Sequence, residues 1–343
     1  MFSIKVYIPT ICFLLLSCSQ FEYGNEIIDL RNSSIKEDTL ISKKIKFSED
    51  ELYYSNYSFM QSNNSGLYIT PPTPVGGVVL YKYDLINSGD TARVTAVMKK
   101  GRGPEEMESI FLSSKTINGD TLMFSSPGNK TFIVNQNGSL SQWEFDTRGI
   151  INFGYSFSYG EKKLLIPSFN PSQESYLFTI YDIEEDSSYN FFTPRVPYGF
   201  EPSIRNEILG ETPMPDGFAI SFLGDKKVYI LNFNGRVKKE IILGESDEIP
   251  KPYKINNPHE SPGAIPYITK MEFYNKHLLV LLDNIIWIME YPSFSLKKKI
   301  KLLNNKEAEI SPILDFSISD KYLFSRIGRE GIYYIETDEN WFK

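Results

Sequence analysis

The stretch 216–244 constrains the fold of this chain more than any other. Its sequence is DGFAISFLGDKKVYILNFNGRVKKEIILG. Large apolar side chains at 218, 220 and 222 alternate with small ones at 219 and 221, which is the period-2 pattern of a strand with one buried face. A second apolar run covers 228–233, Asn234-Gly235 is a hairpin signal of the type I′ kind, and a third run covers 237–243. The stretch therefore predicts three consecutive antiparallel strands.

Units with this plan recur along the chain. Their candidate second strands begin near Gly66, Asp120, Lys162, Gly217, Lys276 and Lys321, at intervals of 42 to 59 residues. Such intervals are close to the ~40–50 residues of a propeller blade. One more candidate strand precedes each unit, at 55–61, 109–117, 152–159, 203–209, 269–274 and 312–319. We therefore predict an all-β, six-bladed β-propeller with about four antiparallel strands per blade; two stacked β-sandwiches are the alternative.

The last unit leaves little room for an outermost strand before the chain ends. Residues 42–48 (SKKIKFS) resemble 296–302 (LKKKIKL), which is the candidate outermost strand of another unit. We expect this N-terminal strand to complete the last blade and to close the ring. The predicted propeller therefore spans residues 42–343.

The N-terminus carries a targeting signal. Lys5 precedes an apolar run from Val6 to Leu16, which is too short to span a bilayer but fits a signal-peptide core. The run leads into Leu15-Leu16-Ser17-Cys18, which looks like the lipobox of a bacterial lipoprotein. This resemblance implies a signal peptide over 1–17 and an acylated Cys18 that inserts into the lipid bilayer; an ordinary secretory signal is the alternative. Residues 18–41 are polar and aperiodic and predict a tether.

The same resemblance places the chain in the cell envelope, as an outer-membrane lipoprotein. Only one acidic residue lies in Ser19–Glu22, directly after the cysteine. Surface-exported lipoproteins tend to have several acids there, so the sequence favours the periplasmic face. The net charge is −7 and the acids are scattered, which argues against a general nucleic-acid binder.

Two proline-rich segments interrupt the strand pattern, at 193–215 and 245–266. Proline is excluded from central strands, so both are predicted to be loops. Both follow the outer strand of one blade and precede the inner strand of the next, which places them on one face of a propeller, around the mouth of its channel. Long loops on a rigid scaffold frequently carry binding, although neutral insertions have the same composition.

Residues 100–106 read KGRGPEE, in another connection between blades. Together with the lipobox and the six-fold repeat, this element resembles a family of six-bladed, TolB-like β-propeller lipoproteins from Bacteroidetes-type bacteria. That family commonly has Gly-x-Gly-Pro-x-Glu after its first complete blade, which matches Gly101, Gly103, Pro104 and Glu106 here. Glu105 departs from the pattern, because many members have glycine at that position. The resemblance covers about 47–343; most members have no established activity, so it implies a fold and a location only.

The chemistry of this element favours a structural turn. Pro104 followed by two acids suits the first turn of a helix, where the helix dipole favours negative charge; direct contact with a ligand is the alternative. Arginines in the connections between blades would attract an anionic ligand such as an acidic sugar or a carboxylate-bearing peptide. Dispersed surface charge is the other interpretation of these arginines. The candidate ligand-binding residues are Arg102, Glu106, Arg148, Arg195 and Arg205.

The candidate inner strands and the connections next to them each contain a polar or acidic residue, and such residues could converge on the channel axis. Oxygen ligands of this kind suit Ca²⁺ or Mg²⁺, and lactonase-type six-bladed propellers resemble this in using channel carboxylates and an asparagine. The alternative is an ordinary hydrophilic channel lining. The candidate metal-binding residues are Glu108, Asn152, Glu207 and Asp315.

The sequence assigns no catalytic residue. It has no Gly-x-Ser-x-Gly element and only two histidines, of which His259 is expected in a loop and His277 at a surface or edge position. We therefore expect a lipid-anchored binding module of the cell envelope that has no catalysis and no required cofactor. Its ligand would be a glycan, a peptide or an envelope protein. The alternative is a divalent-cation-dependent hydrolase or lyase with its carboxylates in the channel.

Overall fold

The structure is a computed structural model. It describes residues 26–47, 59–71, 76–85, 91–108, 112–115, 121–125, 131–143, 158–160, 162–167, 178–190, 196, 200–201, 208–249, 251, 253–254, 265–303, 312–327 and 331–343. Nearly all the regular structure in these ranges is β-strand. Four short strands come first, namely β1 (Glu26–Asp29), β2 (Glu37–Ile41), β3 (Lys43–Lys44) and β4 (Lys46–Phe47).

Six antiparallel sheets, the blades, follow in chain order. Blade 1 contains β5 (Phe59–Asn63), β6 (Gly66–Thr70), β7 (Val78–Leu85) and β8 (Thr91–Lys100), with the short β9 (Glu106–Met107) after it. Blade 2 contains β10 (Leu112–Lys115), β11 (Leu122–Ser125), β12 (Thr131–Val134) and β13 (Leu140–Trp143). Blade 3 contains β14 (Ser158–Gly160), β15 (Lys163–Pro167), β16 (Phe178–Asp182) and β17 (Ser187–Asn190), and β18 (Phe200–Glu201) follows it.

The second half of the ring has the same plan. Blade 4 contains β19 (Ile208–Met214), β20 (Gly217–Phe222), β21 (Lys227–Asn232) and β22 (Val237–Ile242), and β23 (Tyr253–Lys254) follows it. Blade 5 contains β24 (Ile268–Tyr274), β25 (His277–Leu282), β26 (Ile285–Glu290) and β27 (Ser295–Leu303). Blade 6 contains β28 (Ile313–Ile318), β29 (Tyr322–Ile327) and β30 (Gly331–Glu336), and a 3-10 helix (Glu339–Phe342) ends the chain.

The first strands of the blades form a closed ring. They contact one another in the order β5, β10, β14, β19, β24 and β28, and β28 contacts β5 again. The predicted six-bladed β-propeller is therefore confirmed, and every second strand begins within two residues of its predicted start.

The first strand of blade 4 differs from its predicted position. It covers Ile208–Met214 rather than 203–209, and it contains Pro213 inside the segment expected to be a loop. A first strand has only one hydrogen-bonded neighbour, because its other edge faces the channel. A residue without an N–H is therefore tolerated there.

The stretch 216–244 forms three antiparallel strands, β20, β21 and β22, as predicted. All six residues of β20 are buried, because a second strand lies between neighbouring blades on both faces and not on one face only. The turn between β21 and β22 is not of type I′. Only Gly235 has a positive φ, of 74°, and its N–H donates to Asn232 O at 2.9 Å, as in a three-residue hairpin connection.

The hydrophobic core is divided into layers between blades. One cluster joins Ile288 of blade 5 to Phe316 of blade 6, and another joins Phe324 of blade 6 to Tyr83 of blade 1. All four side chains are almost fully buried. The last blade therefore packs against the first in the same way as the other neighbours pack, and the ring is held by apolar contacts.

The N-terminal residues 26–47, which we call the N-terminal belt, add strands to four blades. β3 pairs antiparallel with β30, so an N-terminal strand completes blade 6 as predicted. β1 pairs parallel with β22, β2 with β27 and β4 with β8. The belt thus contributes to blades 4, 5, 6 and 1 in turn.

This pairing differs from the tether expected over 18–41, because 26–29 and 37–41 are strands attached to the propeller. Their polar composition suits an added edge strand that faces water. Glu26 pairs with Lys239 at 2.8 Å, and Asp38 pairs with Lys298 at 2.7 Å. Residues 18–25, including Cys18, lie outside the described part of the chain.

Two faces of the ring follow from the strand order. The loop face carries the connections from the last strand of one blade to the first strand of the next, such as 243–267. The turn face carries the turns after the first and third strands of each blade, such as 275–276 and 291–294. Each first strand runs from the loop face to the turn face.

Candidate functional site

The Gly-x-Gly-Pro-x-Glu element forms a compact loop that brings β9 back beside β8. Lys99 pairs with Glu106 and Lys100 with Met107, in parallel register. The Glu106 carboxylate accepts a hydrogen bond from Gly103 N at 2.9 Å. A Cβ added at Gly101 would lie only 1.9 Å from Glu106 Oε2, so the carboxylate occupies the space that the glycine leaves open.

This geometry supports the structural interpretation of the element. The expected helical turn at Pro104 does not form, because Glu106 pairs with β8 instead. Met107 is 1% exposed and packs between blades 1 and 2. The two glycines and the glutamate therefore fix the path of the chain from blade 1 to blade 2.

Arg102 projects from the same loop and is 86% exposed. Its Nε donates to Glu108 Oε1 at 2.5 Å, and this hydrogen bond raises the pKa of Arg102. One candidate anion-binding residue and one candidate metal ligand therefore bind each other. Of the remaining candidate arginines, Arg148, Arg195 and Arg205 lie outside the described residues.

The first strands of blades 4, 5, 6 and 1 are joined by a repeated hydrogen bond. Thr212 Oγ1 accepts from Phe273 N at 3.2 Å, Glu272 Oε2 accepts from Ile318 N at 3.1 Å, and Ser317 Oγ accepts from Ser62 N at 2.8 Å. In each case a polar side chain satisfies a backbone N–H on the unpaired edge of the next first strand. Part of the polar character of the inner strands is therefore structural.

A buried charge cluster lies between blades 5 and 6. Lys270 Nζ is 3.7 Å from Asp315 Oδ1 and 4.0 Å from Glu272 Oε1. Arg326 lies opposite Asp315 in the β28–β29 ladder and is 7% exposed. Two basic and two acidic side chains thus share one poorly solvated region, and the Lys270 ammonium lies between the two carboxylates.

The electrostatics of the cluster are dominated by burial. Burial raises the pKa of Asp315, and the positive charges of Lys270 and Arg326 oppose that shift. Burial also lowers the pKa of Arg326, against the attraction of Asp315. Each charge in such a cluster depends on its partners, because removing one leaves a buried charge uncompensated.

The candidate metal ligands are held in different places. Asp315 lies on β28 beside Lys270, whereas Glu108 follows β9 and pairs with Arg102. Asn152 and Glu207 lie outside the described residues. Within the described part of the chain, no group of three His, Cys, Asp or Glu side chains is arranged to hold a metal ion.

The two proline-rich segments meet on the loop face. β18, from the segment between blades 3 and 4, pairs antiparallel with β23, from the segment between blades 4 and 5. Phe200 lies opposite Lys254, and Glu201 lies opposite Tyr253. The expectation that both segments emerge on one face therefore holds, and they form a small sheet of their own.

The second segment is fastened to the 223–226 turn of blade 4 by backbone hydrogen bonds. Gly224 N donates to Ile265 O at 3.1 Å, and Asp247 N donates to Gly224 O at 3.2 Å. Lys226 N donates to Ser246 Oγ at 2.9 Å. Both described ends of the segment are therefore attached to the blade.

Side chains reinforce this attachment. Lys226 Nζ lies 4.3 Å from the centre of the Tyr267 ring and 2.8 Å from Asp283 Oδ2 of blade 5. Tyr267 in turn donates its hydroxyl hydrogen to Asp247 Oδ1 at 2.7 Å. We call the surface formed by 223–226, 244–249 and 265–267 the platform.

The platform exposes two large aliphatic side chains. Ile249 is 37% exposed and Ile265 is 53% exposed. The two other exposed large hydrophobic residues in the described part of the chain, Ile27 and Ile41, belong to the N-terminal belt. Charged, aromatic and exposed apolar groups are thus collected on the loop face of blades 4 and 5.

His277 is buried, at 4% exposure, although the sequence predicts a surface or edge position. It does open β25, but the C-terminal 3-10 helix covers it, and its ring centre lies 5.2 Å from that of Phe342. Burial lowers the pKa of His277, against the hydrogen bond with Asn275 O and the charge of Glu290. His259 lies outside the described residues.

Sequence reasoning missed Lys270 of the buried cluster and Lys226 and Tyr267 of the platform. Each looks like a solvent-facing polar or aromatic residue near a turn or in an alternating strand. Their partners lie on other blades or on a distant loop, so no local pattern reveals them. Alignment of the repeats offers a partial signal, because Lys270 and Asp315 occupy matching positions beside a strand irregularity in β24 and β28.

No family model and no curated protein matches the chain. Among solved structures, it is similar to a member of the DUF4221 family from Bacteroides vulgatus, with 10% sequence identity and a TM-score of 0.49, over 88% of this chain and 97% of that one. It is also similar to Sqt1 of Saccharomyces cerevisiae, with 13% identity and a TM-score of 0.36, over 80% and 81% of the two chains. The fold assignment itself rests on the strand pairing. The described part of the chain contains no helix that is long and apolar enough to cross a membrane.

Proposed function

We propose that this protein is a lipid-anchored binding module of the cell envelope that recognises a peptide or protein ligand at the platform and has no catalysis of its own. The observation that carries the proposal is the fastening of the proline-rich loops. They pair with each other and are attached to blade 4 by hydrogen bonds and by the stacking of Lys226 on Tyr267. A binding surface that is ordered before the ligand arrives loses less entropy on binding.

The chemistry of the platform favours a peptide or protein ligand. Ile249 and Ile265 are exposed on the platform, which also carries the Tyr267 ring and the Lys226 ammonium stacked on it. Protein interfaces combine a small apolar centre with a polar rim in this way. An acidic glycan, which the arginines would attract, has weaker support because Arg102 already binds Glu108.

The alternative of a divalent-cation-dependent hydrolase or lyase has less support. The Lys270 ammonium lies 3.7 Å from Asp315 Oδ1 and 4.0 Å from Glu272 Oε1, so a cation already occupies the neighbourhood of both carboxylates. A bound Ca²⁺ there would have to displace this partly buried ammonium or be repelled by it. We therefore propose no required cofactor.

The binding proposal is tested by a thermal-shift screen on the mature chain without its anchor, starting at Ser19. The ligands would be Ca²⁺ and Mg²⁺ with and without chelator, acidic saccharides, and peptidoglycan peptides. A ligand of the native state raises the melting temperature by mass action. The proposal expects a shift with a peptide ligand that is lost in Ile265→Ser and kept in Ile41→Ser, since both isoleucines are 53% exposed. A shift with Ca²⁺ or Mg²⁺ that is lost in Asp315→Asn would instead establish the metal-dependent alternative.

The anchor is proposed to be Cys18, placed in the outer membrane on its periplasmic side. This rests on the similarity of residues 15–18 to a lipobox and of Gly101–Glu106 to the element of TolB-like propeller lipoproteins. Partition of the expressed chain into a detergent phase, with mass spectrometry of its N-terminal peptide, tests it. Cys18→Ala should abolish acylation, whereas Cys12→Ala, the change at the only other cysteine, should leave it intact.

A further inference from the structure

The N-terminal belt begins at the turn face. Glu26 pairs with Lys239, whose Nζ also donates to Pro292 O at 3.1 Å, in the turn between the third and fourth strands of blade 5. At the other end of β1, Leu30 N donates to Ile242 O at 2.9 Å, and Arg31 binds Glu245 on the loop face. β1 therefore runs from the turn face to the loop face, and its first residue, Glu26, lies at the turn face.

The number of residues between Cys18 and Glu26 limits where an anchor can lie. Eight residue steps separate Cys18 from Glu26. Eight steps span at most about 28 Å when fully extended, and about 16 Å on average for a flexible chain. A six-residue strand such as β22 is itself about 20 Å long. An anchor at Cys18 therefore reaches a bilayer on the turn side more readily than a bilayer on the loop side. To reach the loop side, the segment would also have to pass the length of a blade.

We propose that the turn face of blades 4 and 5 lies against the phospholipid bilayer, and that the loop face with the platform points away from it into the aqueous compartment. This inference rests on the proposed acylation of Cys18. In this orientation the platform meets its ligand on the aqueous side and does not bind lipid.

Charge does not set this orientation. On the turn face of blades 4 and 5, Lys238 pairs with Asp216 at 3.0 Å and Lys297 pairs with Glu290 at 2.9 Å. These pairs neutralise part of the attraction that basic side chains would exert on anionic headgroups, whereas Arg236 and Lys276 are also exposed on this face. Vesicles of zwitterionic phosphatidylcholine therefore separate the effect of the tether from that of charge. The tether itself holds the turn face to the membrane, so the orientation is independent of salt, in contrast to a docking driven by charge.

Depth-dependent fluorescence quenching tests the orientation on the acylated full chain. Single cysteines would be placed at Asn234, which is exposed on the turn face of blade 4, and at Glu248, which is exposed on its loop face. The acylated chain has no other free thiol, because Cys12 is removed with the signal peptide and Cys18 carries the lipid. Each variant would be labelled with a small fluorophore and reconstituted into phosphatidylcholine vesicles that carry a nitroxide on the headgroup.

We expect quenching at Asn234→Cys to exceed that at Glu248→Cys roughly twofold or more, because quenching needs near contact and the two faces lie about 20 Å apart. The ratio should not change in 1 M salt. Equal quenching at the two sites, or stronger quenching at Glu248→Cys, would overturn the orientation while the anchor stands. Quenching at neither site would overturn it as well. If the chain that starts at Ser19 binds the vesicles as well as the acylated chain does, the lipid anchor itself is refuted.

Discussion

Substitution of Gly101 by alanine tests the structural role of the Gly-x-Gly-Pro-x-Glu element. The added Cβ would lie 1.9 Å from Glu106 Oε2 and 2.6 Å from Glu106 Cδ, whereas ordinary contacts begin at 3.4 Å. The carboxylate must therefore retreat by about 1.5 Å. Its hydrogen bond with Gly103 N, now 2.9 Å long, cannot survive that movement.

The loss of the hydrogen bond between Glu106 and Gly103 N determines how far the free energy of unfolding falls. A hydrogen bond to a charged group contributes about 1.5–3 kcal/mol, so Gly101→Ala should lower the free energy of unfolding by that amount. Glu106→Ala removes the same hydrogen bond and should cost a similar amount. In the double variant no carboxylate remains to clash with the new Cβ. Its cost should therefore equal that of Glu106→Ala alone and not the sum of the two.

Urea unfolding of the chain from Ser19 measures these differences, with the slope of the transition checked for constancy. Glu105→Ala is the matched control, because Glu105 is exposed and should change stability by less than about 0.5 kcal/mol. Additive costs in the double variant would refute the geometry, since they would mean that Gly101 and Glu106 do not compete for one space. A Gly101→Ala protein as stable as the wild type would refute it too.

Three further changes test other parts of the structure. Because burial lowers the pKa of His277, the unfolded state takes up a proton more readily than the folded state below pH 6.5. Stability should therefore fall as the pH is lowered through that range, by no more than about 1.4 kcal/mol per pH unit, and a pH series of urea titrations should show a smaller slope for His277→Gln but not for His259→Gln. Lys270→Met should cost about 3–5 kcal/mol by leaving buried carboxylates uncompensated, and adding Asp315→Asn should recover part of that loss in the same assay. Ile45→Ala should cost about 2–5 kcal/mol, because this belt residue is 2% exposed between blades 6 and 1; a neutral result by thermal unfolding would show that the belt is not part of the fold.

The blades could be predicted from the sequence because the patterns that mark their strands and turns are local. Alternation of side chains in β20 and the glycines at 217 and 235 mark strands and turns within a few residues. A Cβ at Gly217 would lie 1.7 Å from Leu231 O. The glycine at this position therefore marks, in the sequence itself, where two strands approach closely. Repetition of such units then indicates the ring.

The first part of the belt, 26–41, and the charge cluster could not be predicted, because their partners are distant in sequence. Glu26 and Asp38 give their segment the composition of a linker, but their lysines lie on outer strands more than 200 residues away. Lys270 looks like a solvent-facing polar residue in an alternating strand, and Asp315 looks like a carboxylate that lines the channel. Only the packing of blade 5 on blade 6 brings them together and shields them partly from water.

Photo-crosslinking in intact cells shows whether the platform binds a ligand in the cell envelope. A benzophenone amino acid would be placed at Ile265 on the platform and, as the control, at Ile41 on the belt, which is equally exposed at 53%. We expect one discrete adduct from Ile265, identified by mass spectrometry as an envelope peptide or protein, and none from Ile41. Equal adducts from both positions, or from neither, would contradict recognition at the platform.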